Sequence, residues 1–152
     1  MHLSSPVFSE GGKIPTKYTC EGENINPELN ISGVPPNAKS LVLIMDDPDV
    51  PEHVRKERMY DHWVVFNMPS TTTRIPERSQ PHGTPGKNTS GGLNYVGPCP
   101  PDREHRYFFK LYALDCMLNL QKGATKHEVE NAIKGHILAQ TQLMGRYEKI
   151  KK

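Results

Sequence analysis

Ser40-Leu41-Val42-Leu43-Ile44-Met45 is an unbroken apolar run, fenced by Pro35-Pro36 before it and Asp46-Asp47-Pro48 after it. A run this short, rich in β-formers and without polar alternation, reads as a strand buried on both faces. His62-Trp63-Val64-Val65-Phe66-Asn67 repeats the pattern and is closed by Pro69. From Tyr107 to Asp115 the chain alternates instead. Tyr107, Phe109, Leu111 and Ala113 fall on one face, with Phe108, Lys110, Tyr112 and Leu114 on the other. Working outward, Pro6-Val7-Phe8 and Leu29-Asn30-Ile31 read as short extended pieces. Gly (12) and Pro (14) are unusually frequent, which breaks the chain into many short elements and favours a mostly β architecture.

One helix is expected. Thr125-Lys126-His127-Glu128 is a capping box, Val129, Ala132 and Ile133 share a face, and Gly135 supplies a left-handed turn after Lys134. Beyond Gly135 the period changes to two, predicting a strand that runs to about Tyr147. No internal repeat or linker interrupts the chain, so a single domain over 1–152 is expected. Pro69 to Pro101 is nearly all turn chemistry, and a loop that long is more often functional than idle.

The composition excludes several classes. With 35% hydrophobic and 24% charged residues, the 152-residue chain can bury a core and is not expected to be disordered. No stretch approaches the roughly 20 apolar residues of a membrane-spanning helix. Met1-His2-Leu3-Ser4-Ser5-Pro6 lacks the basic start and apolar run of a signal peptide. A net charge of +2 is too small to point to nucleic acid. Arg55-Lys56, Arg58 and the Lys149–Lys152 end read as solvated surface. Three widely spaced cysteines, Cys20, Cys99 and Cys116, suit a reducing compartment without a disulfide framework, hence a cytoplasmic location.

Three places carry chemistry. Asp46-Asp47-Pro48-Asp49-Val50-Pro51 follows the buried strand, where carboxylates either face a cavity or cap a turn. His62 opens the next strand beside Trp63, the one tryptophan. Tyr95-Val96-Gly97-Pro98-Cys99-Pro100-Pro101 is stiffened by its prolines, and Gly97 permits close backbone approach to a ligand. His105-Arg106-Tyr107 then enters a strand, so the period of two sends His105 and Tyr107 to one face and Arg106 to the other.

Asp47-Pro48-Asp49-Val50-Pro51, His62, Gly97-Pro98-Cys99-Pro100-Pro101 and His105-Arg106-Tyr107 resemble, in order and spacing, the phosphatidylethanolamine-binding protein family. The match is closest to its bacterial, Raf-kinase-inhibitor-like branch, and Pro15–Gly22, Asn26–Leu29 and Leu138–Tyr147 extend it over nearly the whole chain. The resemblance implies a large antiparallel sheet packed on a smaller one, with one or two short helices and an anion pocket at one end. It places Asp47, His62, His105, Tyr107 and the backbone around Cys99 in that pocket, with Asp49, Pro48, Gly97, Pro98 and Pro100 in support. Two imidazoles and a phenol can donate to phosphate oxygens. Asp47 could hold an imidazolium charged or accept the protonated oxygen of a monoanion.

The implied function is non-catalytic binding of a small anionic or phosphorylated group, a phospholipid headgroup at a membrane surface included. The alternative is a protein inhibitor of a kinase or serine protease, and a homodimer is the implied assembly. No cofactor is expected. A metal on Asp47, His62 and His105 has plausible ligand types but lacks a tight pair such as His-x-x-x-His. Cys99 beside His105 or His62 could form a thiol nucleophile, the basis of a lesser hydrolase reading. The chain departs from its relatives at Tyr60-Asp61, ahead of the pocket histidine, and in the charged segment Glu52–Arg58, read as a solvated loop or an overhang of the site. It also ends without the helix that borders the pocket in mammalian members, so a more open pocket is expected.

Overall fold

A computed structural model describes residues 1–151. Eight strands and one α-helix follow in chain order: β1 His2–Ser4, β2 Leu29–Ser32, β3 Ser40–Asp47, β4 Tyr60–Met68, β5 Arg74–Ile75, β6 Thr84–Pro85, β7 His105–Leu114, α1 Lys126–Ile133 and β8 Ile137–Tyr147. A single 3₁₀ turn spans Thr16–Tyr18. The strands form a five-stranded sheet, β6-β4-β3-β7-β8, and a three-stranded sheet, β1-β2-β5. Every pairing within them is antiparallel. The mostly β, two-sheet architecture expected from the sequence is therefore the one observed.

β3 is central in the larger sheet, and all of its residues are buried. Its alternation feeds two separate cores. Leu41, Leu43 and Met45 join Trp63, Val65, Tyr107, Phe109 and Leu111 against Leu3, Leu29, Ile31 and Ile75 of the smaller sheet. Val42 and Ile44 join Val64, Phe66 and Leu114 on the opposite face, under Val129 and Ile133 of α1. A strand covered on both sides has no face to leave polar, which is why its sequence reads as a continuous apolar run.

The capping box forms as expected. Thr125 Oγ1 accepts from the Glu128 amide at 3.2 Å, and Glu128 Oε1 accepts from the Thr125 amide at 3.0 Å. Gly135 takes φ +81° and turns the chain back into β8. The amino-terminal strand lies elsewhere than expected. Pairing with β2 uses His2, Leu3 and Ser4, and the chain leaves the ladder at Ser5, whose hydroxyl donates to the Glu28 carbonyl at 2.6 Å. Pro6 has no amide with which to continue. Phe8 instead packs beside Phe109, with ring centroids 5.9 Å apart. No helix among the described residues is long and apolar enough to cross a membrane.

Candidate functional site: a pocket at the strand ends

Antiparallel pairing brings the end of β3 and the starts of β4 and β7 to one end of the larger sheet. Asp47 pairs with Tyr60, and Asp46 pairs with both Asp61 and Phe108. Polar side chains that are far apart in sequence therefore meet around one hollow. A pocket of about 260 Å³ is lined by Asp47, Tyr60, His62, His105 and Tyr107, with Gly97, Cys99 and Pro100 from the proline-rich loop. Val50, Val54, Val96 and Pro101 complete its walls. The four side chains expected to face a ligand, Asp47, His62, His105 and Tyr107, line this pocket, as do Cys99, Gly97 and Pro100. Pro48, Asp49 and Pro98 are not among its lining residues.

His105 is fully buried and held between two carboxylates. Its Nδ1 lies 2.6 Å from Asp47 Oδ2, and its Nε2 lies 2.6 Å from Asp102 Oδ1. Carboxylates only accept, so both ring nitrogens donate and the ring is an imidazolium. Burial alone lowers its pKa, but the hydrogen bonds to Asp47 and Asp102 outweigh that and hold it above the usual imidazole range. With both nitrogens occupied, His105 offers a guest neither a donor nor a lone pair. It orients Asp47 instead. Asp102 carries no motif signal beyond standing three residues before His105, and sequence reasoning missed it.

Asp47 also caps the turn that follows it, accepting the Asp49 amide at 2.7 Å. The capping and cavity-facing readings of this aspartate thus hold together. Asp49 braces the turn from behind, pairing with the Arg106 guanidinium at 2.8 Å and accepting the Arg106 amide at 2.8 Å. Those contacts hold its carboxyl below the usual range. Arg106 projects away from the pocket, as the alternation of β7 requires.

His62 behaves differently. Its Nδ1 is 2.7 Å from the Val96 carbonyl, which can only accept, so Nδ1 carries the proton and Nε2 is left with its lone pair. Burial lowers the His62 pKa, against the weaker opposing effects of the Val96 bond and the Asp47 charge. The ring is therefore neutral near pH 7, sandwiched by Tyr60 at 4.7 Å and Tyr107 at 5.3 Å between centroids. Tyr107 is fully buried, and its hydroxyl proton has no acceptor. The polar neighbour that favours its anion, the Cys99 amide, is itself a donor, so the O–H proton is free. Burial, then the Asp47 charge, pushes the phenol pKa well above its usual range.

Two expectations are corrected here. Cys20 and Cys99 form a disulfide, with Cα atoms 5.4 Å apart, and Cys116 is the free cysteine. The 79-residue separation hid the pair. Their loops are drawn together by the Cys20 amide on the Pro98 carbonyl at 3.1 Å and the Gly97 amide on Asn24 Oδ1 at 2.7 Å. The cysteines thus give no ground for a reducing compartment, and a bonded Cys99 sulfur is not a nucleophile. Gly97 lines the pocket and is also pressed against a second loop. A Cβ there would run into the Tyr18 carbonyl oxygen and Asn24 Oδ1, so the close approach is to the neighbouring loop. The charged 52–58 segment, in turn, reaches the site. Val54 lines the pocket, and the Arg55 guanidinium stacks over Tyr60, 5.9 Å from the ring centroid.

Two antiparallel sheets, with a walled pocket where strand ends meet a proline-rich loop, define a two-sheet β protein with one such pocket at its strand ends. The chain belongs to the phosphatidylethanolamine-binding protein family, whose model matches residues 4–148. It is 48% identical over 149 residues to a UPF0098 protein of Chlamydia trachomatis, covering 98% of this chain and 99% of that one. A UPF0098 protein of Methanothermobacter thermautotrophicus is 47% identical, with coverage of 98% and 99%. Among solved structures, the phosphatidylethanolamine-binding protein homolog CT736 of Chlamydia trachomatis superposes with a TM-score of 0.94 at 48% identity, covering 97% of this chain and 96% of that one. YbcL of E. coli, described as a member of the mammalian PEBP family, superposes at 0.87 with 29% identity and coverage of 97% and 98%.

Proposed function

We propose that the pocket is a non-catalytic receptor for a small phosphorylated or similar anionic group, bound as a singly protonated monoanion. The observation that carries this reading is the buried Tyr107 hydroxyl, whose proton has no acceptor, beside neutral His62. Tyr107 supplies a donor and His62 Nε2 an acceptor, so a complementary guest brings both an oxygen that accepts and an O–H that donates. A phosphate monoester below its second pKa, near 6, has both. The charges of the site also favour a monoanion. Asp47 and Asp102 flank a single imidazolium, which disfavours a dianion, and the Arg55 guanidinium over Tyr60 is already paired with Glu57 at 2.5 Å. Apolar walls of Val50, Val54, Val96 and Pro101 suit an organic substituent on the guest. The lining offers no activated nucleophile, because Cys99 is bonded and the Tyr107 phenol is held protonated.

Calorimetry with inorganic phosphate and phosphoethanolamine tests the reading. Tyr107→Phe removes only the donor and is expected to weaken binding by roughly tenfold or more, in line with ~1.5–3 kcal/mol for a hydrogen bond to a charged group. Binding is also expected to be tighter at pH 5.5 than at pH 8, as the guest loses its O–H. Unchanged affinity in both Tyr107→Phe and His62→Gln, or an affinity that rises with pH, refutes the assignment.

A further inference from the structure

We propose that Asp115, Cys116 and His136 form a binding site for a divalent transition metal of the zinc class, at the end of the larger sheet opposite the pocket. His105 opens β7 and Asp115 follows its last residue, so at about 3.3 Å per residue the two sites lie roughly 30 Å apart. Asp115 and Cys116 leave β7 just where His136 enters β8, and the Asp115 amide donates to the His136 carbonyl at 3.0 Å. The Ser40 hydroxyl holds the Cys116 carbonyl at 2.6 Å. On the other side, the His136 amide donates to the Ile133 carbonyl at 3.0 Å, across the turn made by Gly135. The backbone carrying each of the three side chains is therefore tied down before any ion arrives.

The donor geometry matches the metal. The carboxylate, thiol and imidazole ligating atoms all lie within 4.8 Å of one another, and His136 Nδ1 is 2.8 Å from Asp115 Oδ1. Around tetrahedral zinc, bonds of about 2.0–2.3 Å put neighbouring donors some 3.4 Å apart. That separation lies between the 2.8 Å of the His136–Asp115 pair and the 4.8 Å limit on the three atoms. Among the described residues this is the group of such side chains whose ligating atoms converge in this way.

A thiolate with an imidazole selects zinc, cobalt or a similar ion over calcium or magnesium, which prefer all-oxygen shells. On binding, the Cys116 S–H proton passes to solvent, and the Nδ1 proton that His136 shares with Asp115 is exchanged through solvent to Nε2, which leaves the Nδ1 lone pair and the carboxylate for the ion. Thiolate and carboxylate then neutralise the divalent charge. Asp115 and His136 are about half exposed, which leaves the remaining coordination position open to water.

Cobalt(II) titration of the untagged, oxidised protein reads this site without ambiguity, because the other two cysteines are bonded and only Cys116 can supply a thiolate. The expected result is one equivalent of cobalt, giving a near-ultraviolet thiolate-to-cobalt band and the strong visible bands of tetrahedral cobalt, both erased by added zinc. Cys116→Ser should abolish the near-ultraviolet band, and His136→Gln should weaken cobalt binding at least tenfold. Both variants should retain the wild-type circular dichroism spectrum and the phosphate affinity of the distant pocket. Absence of a thiolate band in the wild type overturns the proposal. So does a band that survives unchanged in His136→Gln, or a stoichiometry of one metal per two chains.

Discussion

Replacing Cys20 and Cys99 together by serine releases a chain loop whose ends are 79 residues apart in sequence. In the chain-entropy treatment, closing a loop of that length removes about 15 cal/mol/K from the unfolded ensemble, or about 4.5 kcal/mol at 25 °C. The folded state should change little. The Cys20 amide still meets the Pro98 carbonyl, the Gly97 amide still meets Asn24, and the Tyr95 hydroxyl still meets the Tyr18 carbonyl at 2.7 Å. Nearly all of the effect therefore falls on the unfolded chain, against a total stability of roughly 5–15 kcal/mol for a domain. Urea unfolding is the direct assay. With a slope of about 2 kcal/mol/M, the midpoint should fall by about 2 M and the slope should rise as the unfolded chain expands. Reductant should lower the wild-type midpoint to the same value and leave the double variant unmoved. Thiol titration of the denatured, unreduced protein should count one thiol, that of Cys116. Three thiols, or a loss below ~1 kcal/mol, refutes the reasoning.

The two pocket histidines give opposite pH limbs. The raised pKa of His105 contributes stability that is complete below the ordinary imidazole value near 6.5 and is lost as pH rises through the raised value. The lowered pKa of His62 contributes stability that is present above that value and lost as pH falls through its folded pKa. Asp102→Asn should therefore flatten the decline in urea stability above about pH 6.5 and lower the His105 pKa seen by NMR; an unaltered slope contradicts the clamp. Gly97→Ala should cost about 1–3 kcal/mol by overpacking against Tyr18 and Asn24, and should weaken phosphate binding through the displaced wall. Thr125→Ala should cost about 1 kcal/mol in thermal unfolding and leave the pocket's affinity unchanged, since it removes only the α1 cap.

Much of the pocket was legible because its clues are local. The period of two in β7 sends His105 and Tyr107 to the same side, and both line the hollow. The Asp-Pro-Asp turn reads as a cap, and Asp47 is one. The tautomer of His62 was not legible, because it depends on a carbonyl 34 residues away. Nor was the internal use of His105, which turns an expected ligand group into a clamp on Asp47. Asp102 went unnoticed because an acidic residue in a charged loop has no spacing rule to announce it.

Periodicity, proline and glycine punctuation and the capping box specify which segments are strands, which one is a helix and which faces are apolar, since those preferences act over a few residues. Convergence belongs to another scale. That the end of β3 meets the starts of β4 and β7, that Cys20 meets Cys99, and that a buried phenol keeps a free proton all depend on sheet register and loop docking. Those are set by long-range packing, in which burial and the pairing of charges decide a side chain's chemistry after its neighbours have arrived.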